Sequence, residues 1–199
     1  MALEQQKFDL IASAKTQLSN QNRGWSQRIR EGALSRLSNI GLPNHRDEYW
    51  KYTNPAELLT ENLSHSSVAG LEDPNVFSEI DTLKIVFCDG VFSSELSDDL
   101  TSENIEISRL ADVGDLHWAQ NYYGVLEEKG QNPVNRPLAA YNTAMASDGA
   151  LINIKGKVKR PILILGVHNN PAEAVLHHLI KVDKDCSITL LESGPFATR

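Results

Sequence analysis

His177-His178, Cys186 and Asp148 are the residues of this chain whose types most readily suggest chemistry. A histidine pair suggests metal ligation. On an extended segment, however, adjacent side chains point to opposite faces, so His177 and His178 are not expected to share one ion. Cys88 and Cys186 lie far apart without a CxxC spacing, which excludes a zinc ribbon or a disulfide scaffold. Cys88 sits in an apolar run and reads as a small core residue, whereas Cys186 falls in the turn Asp183-Lys-Asp185-Cys186. A thiol there has the chemistry to meet iron or sulfur, but a cluster takes about four ligands and one cysteine supplies one. Asp148 with Asp183 or Asp185 offers a carboxylate pair of the kind that cleaves polysaccharides. Asp148-Gly149 is more simply a turn before a strand. GxxxxGK[ST], GxSxG and HExxH are absent, so the usual signatures of phosphate binding, serine nucleophiles and zinc proteases are missing. No catalytic residue and no metal ligand is assigned, and cofactor-binding residues stay unassigned.

A second candidate is Asn44-His-Arg-Asp-Glu-Tyr-Trp-Lys-Tyr-Thr-Asn54, where Tyr49, Trp50 and Tyr52 stand among charges. Such rings either bind a ligand or fasten one part of the chain to another. Fastening is the preferred reading, because Asn54-Pro-Ala-Glu57 has the grammar of a helix start: a cap, a proline at the first position and an acid reaching back.

The elements that position these residues change along the chain. Phe8, Ile11, Ala14 or Lys15, and Leu18, then Trp25, Ile29, Ala33 and Leu37, recur at three- and four-residue steps and predict two helices. Gly41 and Pro43 end the second. A loop spans 64–82. Leu83–Cys88 and Val91-Phe92 flank Asp89-Gly90, a strong hairpin signal. Ile105–Ile107 reads as a short strand, and Ala111–Glu128 as a helix that Gly114 and Gly124 weaken. Arg136–Ala144, a run of small residues, reads as a segment capping the first of the stacked strands. Four strands are predicted at 150–154, 162–165, 179–182 and 188–191. The first and third are offset by 28 residues and the second and fourth by 26, the rhythm of stacked coils.

Composition sets the limits. The 199 residues are 41% hydrophobic and 23% charged, ordinary globular usage, and no apolar run approaches a membrane span. The N-terminus lacks the pattern of a signal peptide. The net charge of −7 conceals blocks of +4 over 1–46, −14 over 47–130 and +3 over 131–199. An acidic middle argues against a grip on nucleic acid. The basic block with Arg23, Arg28, Arg30 and Arg36 reads as a solvated helix face, with an acidic partner as the competing idea.

Five segments together resemble one family. Gly41-Leu-Pro43, Arg46-Asp-Glu-Tyr-Trp-Lys-Tyr-Thr53, Leu138-Ala-Ala-Tyr-Asn-Thr-Ala144, Ser147-Asp-Gly-Ala150 and Pro161-Ile-Leu-Ile164 resemble the SufB/SufD family, scaffolds of the Suf iron–sulfur cluster assembly machinery, and sit closer to its SufD side. The resemblance implies an α+β fold. A helical region (1–65) and a mixed connecting region (66–135) would precede the first coils of a right-handed parallel β-helix (136–199), with the coils cut short at Arg199. It implies a non-catalytic scaffold acting with a SufB-like protein and a SufC-like ATPase, the latter engaged through a C-terminal region beyond this sequence. No cofactor is expected in this chain, and a cluster only in the assembled complex. A cytoplasmic protein without membrane or nucleic-acid partners is expected. His177, His178 and Cys186 receive no role from the resemblance. The competing functions are a β-helical enzyme acting on polysaccharide or acyl groups and a generic protein-interaction module.

Overall fold

The computed structural model describes residues 2–20, 24–45, 47, 50–55, 76–114, 117–167, 169 and 174–194, with side chains from residue 10 onward. Tyr49 and the helix expected after Asn54 lie outside the described residues. The architecture is α+β with mixed sheets. Two compact units alternate along the chain. One takes Met1–Asn62 and Gly114–Ala146, the other Leu63–Val113 and Ser147–Thr198.

The first unit is helical: α1 (Ala2–Ser19), α2 (Gln27–Ile40), α3 (Val125–Gly130) and α4 (Pro137–Met145). Ala14 and Leu18 of α1 meet Ala33, Leu34 and Leu37 of α2 and Ala140 and Ala144 of α4. The alanines of α4 let the helices approach closely, which accounts for the small-residue run. Pro137 opens α4 at a position where its missing N–H costs nothing. Leu42, just after the Gly41 cap, is buried in the same cluster.

Two expectations change here. The buried face of α2 is Arg30, Ala33, Leu34 and Leu37. Trp25 lies before it in a 3₁₀ turn, packed edge-on against Tyr123 with ring centroids 5.6 Å apart. The helix expected over Ala111–Glu128 is a turn at Trp118–Asn121 followed by α3. Gly124 separates them at φ 74°, a left-handed conformation in which a Cβ would lie 2.8 Å from Ile29 Cγ2.

The second unit holds β1 (Leu83–Cys88), β2 (Val91–Phe92), β3 (Ile105–Arg109), β4 (Ala150–Ile154), β5 (Ile162–Val167), β6 (Leu179–Val182) and β7 (Leu190–Ser193). One sheet runs β2-β1-β5-β7 and the other β3-β4-β6. The hairpin pairs Cys88 with Val91 across Asp89 and Gly90, both at positive φ (49° and 80°) as a type I′ turn requires. From β4 onward the strands alternate between the sheets. β4 pairs in parallel with β6, Leu151 opposite Leu179; β5 pairs in parallel with β7, Ile162 opposite Leu190. Both steps are 28 residues, so the offset of 26 expected for the second pair gives way to a common register, with β7 starting at Leu190. Ile85, Phe87, Ile162 and Ile164 from one sheet and Ile105, Ile152 and Ile154 from the other form a single core.

Candidate functional site

Among the described residues of the β unit, the most densely bonded side chain is Asp148, at the turn into β4. It is 3% exposed. Its Oδ2 accepts from Arg109 Nη2 at 2.7 Å, Arg109 Nε at 3.2 Å and the Phe92 amide at 3.4 Å. Its Oδ1 accepts from the amides of Gly149 at 2.8 Å and Ala111 at 3.4 Å. The guanidinium of Arg109 also pairs with Asp112 at 3.0 Å and lies 5.1 Å from the centre of the Phe92 ring. Every oxygen of the carboxylate is engaged. Asp148 ties β2, β3 and β4 together, and has no lone pair left facing a substrate.

The structure does not bring Asp148 to Asp183 or Asp185. Asp148 stands beside Leu176, before β6, whereas Asp183 follows β6 and bonds Lys181. Seven residues of extended chain, roughly 20 Å, separate the two positions. The carboxylate pair of a polysaccharide-cleaving site is thus not formed.

The histidines play different parts. The amide of His177 donates to the Asp148 carbonyl at 3.0 Å, and its own carbonyl lies so close to Gly149 that a Cβ there would sit 2.0 Å away. Gly149 permits the close stacking of these layers. His178 turns onto the core, its ring 5.3 Å from that of Phe87, and its Nδ1 accepts from the Ala150 amide at 2.9 Å. Burial pushes the His178 pKa down to about 4, against a smaller upward pull from Asp148. A neutral imidazole accepting from the backbone is a packing group here. Among the described residues no three His, Cys, Asp or Glu side chains are grouped to hold a metal ion. Cys186 is half-buried against the core, with Sγ 3.5 Å from the Lys184 carbonyl, and Cys88 is half-buried at the end of β1.

In the helical unit the basic face is not free. Arg30 is 2% exposed and donates to Ser26 Oγ (2.8 Å) and the carbonyls of Ala144 (3.1 Å) and Ala146 (2.7 Å), with its guanidinium 5.1 Å from the Tyr123 ring centre. Arg36 grips Glu127 through Nε (3.2 Å) and Nη2 (2.5 Å), which raises the Arg36 pKa. Arg28 alone of these three is exposed. The solvated basic face is therefore corrected: two of its members are structural. Periodicity gave no sign of it, because it counts apolar residues only.

The aromatic segment also divides. The Asp47 carboxylate accepts from the Asn44 amide at 2.9 Å and from its side chain at 3.1 Å, closing a turn that carries Trp50, which is half-buried. Tyr52 is 90% exposed and lies near Lys51, so it fastens nothing.

Residues 1–164 match the family model described as the SufBD protein N-terminal region. The chain belongs to the SufBD family. Over 175 residues it is 27% identical to an iron-sulfur cluster assembly SufBD family protein of Synechocystis sp., an alignment covering 82% of this chain and 38% of that protein. The chain thus spans less than half the length of this SufBD relative. No described helix is long and apolar enough to cross a membrane.

Proposed function

We propose that this chain is the N-terminal portion of a SufD-like scaffold acting in iron–sulfur cluster assembly, with a SufB-like scaffold and a SufC-like ATPase as partners. The observation that carries the reading is the SufBD family match over residues 1–164. The name of the Synechocystis relative points the same way, and the Trp50-Lys-Tyr-Thr53 segment favours SufD over SufB. In this reading the two sheets are the first coils of a right-handed parallel β-helix, supported by the common 28-residue step of β4–β6 and β5–β7. The chain catalyses nothing itself, ATP hydrolysis belongs to the SufC-like partner, and the cluster is cargo of the assembled complex. The saturated carboxylate of Asp148 suits a scaffold better than a hydrolase. The protein works in the cytoplasm, away from membranes and nucleic acid.

Deleting the gene tests the role: activities of iron–sulfur enzymes should fall, and unchanged activities would sink the reading. Affinity capture tests the partners. A form carrying the family's C-terminal region should retain both SufB-like and SufC-like proteins, and the 199-residue chain little of either. Stoichiometric capture of the ATPase by the 199-residue chain would place the SufC contact within these residues.

A further inference from the structure

The edge of β1 that faces away from β5 is closed by a strap of chain and not by a full strand. Leu83 donates to the Pro161 carbonyl at 2.8 Å and Asp89 to the Val167 carbonyl at 2.9 Å, so the odd-numbered backbone groups of β1 face β5. Those of Lys84 and Val86 face the other way. The hairpin with β2 pairs only Phe87 and Cys88. Beyond it, residues 93–98 cross the edge in turns. The amides of Ser93 and Asp98 donate to the carbonyls of Val86 and Lys84, each at 2.9 Å. The Val86 amide donates to Ser97 Oγ and the Lys84 amide to Asp98 Oδ2, both at 2.9 Å. The Ser97 hydroxyl in turn donates to the Ser93 carbonyl at 2.6 Å. It stands between Val86 N–H and Ser93 C=O, the two groups that a longer hairpin would join directly.

We propose that the 93–98 strap is a guard that bars β1 of a second copy of this chain from the Lys84–Val86 edge, with Ser97 and Asp98 as its two fastenings. Leu83-Lys-Ile-Val-Phe-Cys88 holds one charge, no proline and no glycine. Segments of that composition stack on their own copies when an edge is open. Antiparallel pairing about Ile85 sets Lys84 of each copy opposite Val86 of the other. The outward N–H and C=O groups of both copies are then matched, and no two lysines face each other. A second copy is thus the natural complement of this edge, and the strap occupies both amides and both carbonyls that it needs. Taking the amides with a hydroxyl and a carboxylate closes the edge without building another strand whose far side would be open in turn. The inference rests on bonding within the β unit and not on the assembly role, so its failure leaves that role untouched.

Hydrogen exchange and sedimentation equilibrium of the 199-residue chain test it. In the wild type the Lys84 and Val86 amides should exchange within about tenfold of the Ile85 amide, which faces β5. In S97A/D98A both should exchange at least about tenfold faster than in wild type, and the variant should self-associate at least about tenfold more tightly. S97A alone, the milder change, should move both readouts in the same direction. Adding K84P to the double variant removes one outward N–H and should abolish the gain in association. A proline in a strand does not strengthen the fold, so that loss separates edge pairing from aggregation of a weakened chain. Wild-type Lys84 and Val86 amides that exchange like those of an exposed loop would overturn the proposal, whether or not the double variant folds. So would strap variants that keep both amides slow, freed amides in a chain that sediments like wild type, or a gain that survives K84P.

Discussion

Arg30 in the helical unit and Asp148 in the β unit are the most deeply buried charged side chains among the described residues, and they are neutralised in opposite ways. Arg30 in the helical unit is surrounded by a hydroxyl, an aromatic face and two carbonyls at the C-terminal end of α4, where the helix dipole is negative. Asp148 in the β unit meets a full counter-charge and three backbone amides drawn from three parts of the chain. The helical solution spreads the compensation over partial charges that exist whenever α4 forms. The β solution concentrates it in one ion pair that also sets the relation of strands far apart in sequence. Loss of the acid should cost more than loss of the base.

The largest effect is expected for Asp148→Ala. Breaking a buried pair costs about 3–5 kcal/mol, and the partial exposure of Arg109 places this one near the lower end. Urea unfolding would show it, and a cost below about 1 kcal/mol would remove Asp148 from its place at the centre of the unit. Within the same unit, Ile152→Ala should cost about 2–5 kcal/mol. Ile180→Ala, one layer out and 42% exposed, should cost well under half as much. Equal costs would mean that the outer layer is as enclosed as the inner one.

The β unit should also respond to acid. His178 binds its proton less readily when folded, with a pKa of about 4 against 6.5, so the unfolded chain takes up more protons between these values. Its contribution is fully present above about pH 6.5 and is lost as pH falls towards 4. The total is at most about 3–4 kcal/mol at roughly 1.4 kcal/mol per unit. His178→Gln keeps an acceptor for Ala150 without a titrating ring, so its stability profile should be flatter over this window. Parallel profiles for the two proteins would contradict the buried neutral imidazole.

Arg30→Met in the helical unit should cost about 1–3 kcal/mol, the penalty of leaving the two carbonyls unsatisfied, and less than Asp148→Ala measured alongside it. The reverse order would overturn the contrast between the units. The smallest effects belong to the aromatic segment. Tyr52→Ala should change stability by less than about 0.5 kcal/mol, while half-buried Trp50→Ala should cost more. A large loss at Tyr52 would restore the whole segment to a fastening role.

Local chemistry explains which elements were legible in advance. The hairpin at Asp89-Gly90 was readable because two consecutive residues of those types tolerate positive φ and match the twist of flanking strands. The stop at Gly41 and the strands at 150–154 and 179–182 were readable for similar reasons, each carried by a few adjacent residues. The break at Gly124 was visible only as a weakness. Its left-handed backbone is held by close packing with Ile29 and Thr143, which no window along the sequence contains. The candidate site was less legible still. Asp148 looked like a turn residue, and its partners Arg109, Phe92 and Ala111 lie 37 to 56 residues away.

By itself the sequence determined the hairpin at Asp89-Gly90, the stop at Gly41 and the signature segments of the SufBD family, because turn geometry and motif spacing act over a few residues. Only the tertiary structure decided that Arg30 belongs to the interior of the helical unit and that half-buried Arg36 is held by Glu127, that β5 and β7 share the 28-residue step of β4 and β6, and that Asp148 is a tie between strands. Those outcomes depend on which distant groups burial brings within bonding reach, and the cost of leaving a charge or a backbone amide unpaired there is larger than any local preference.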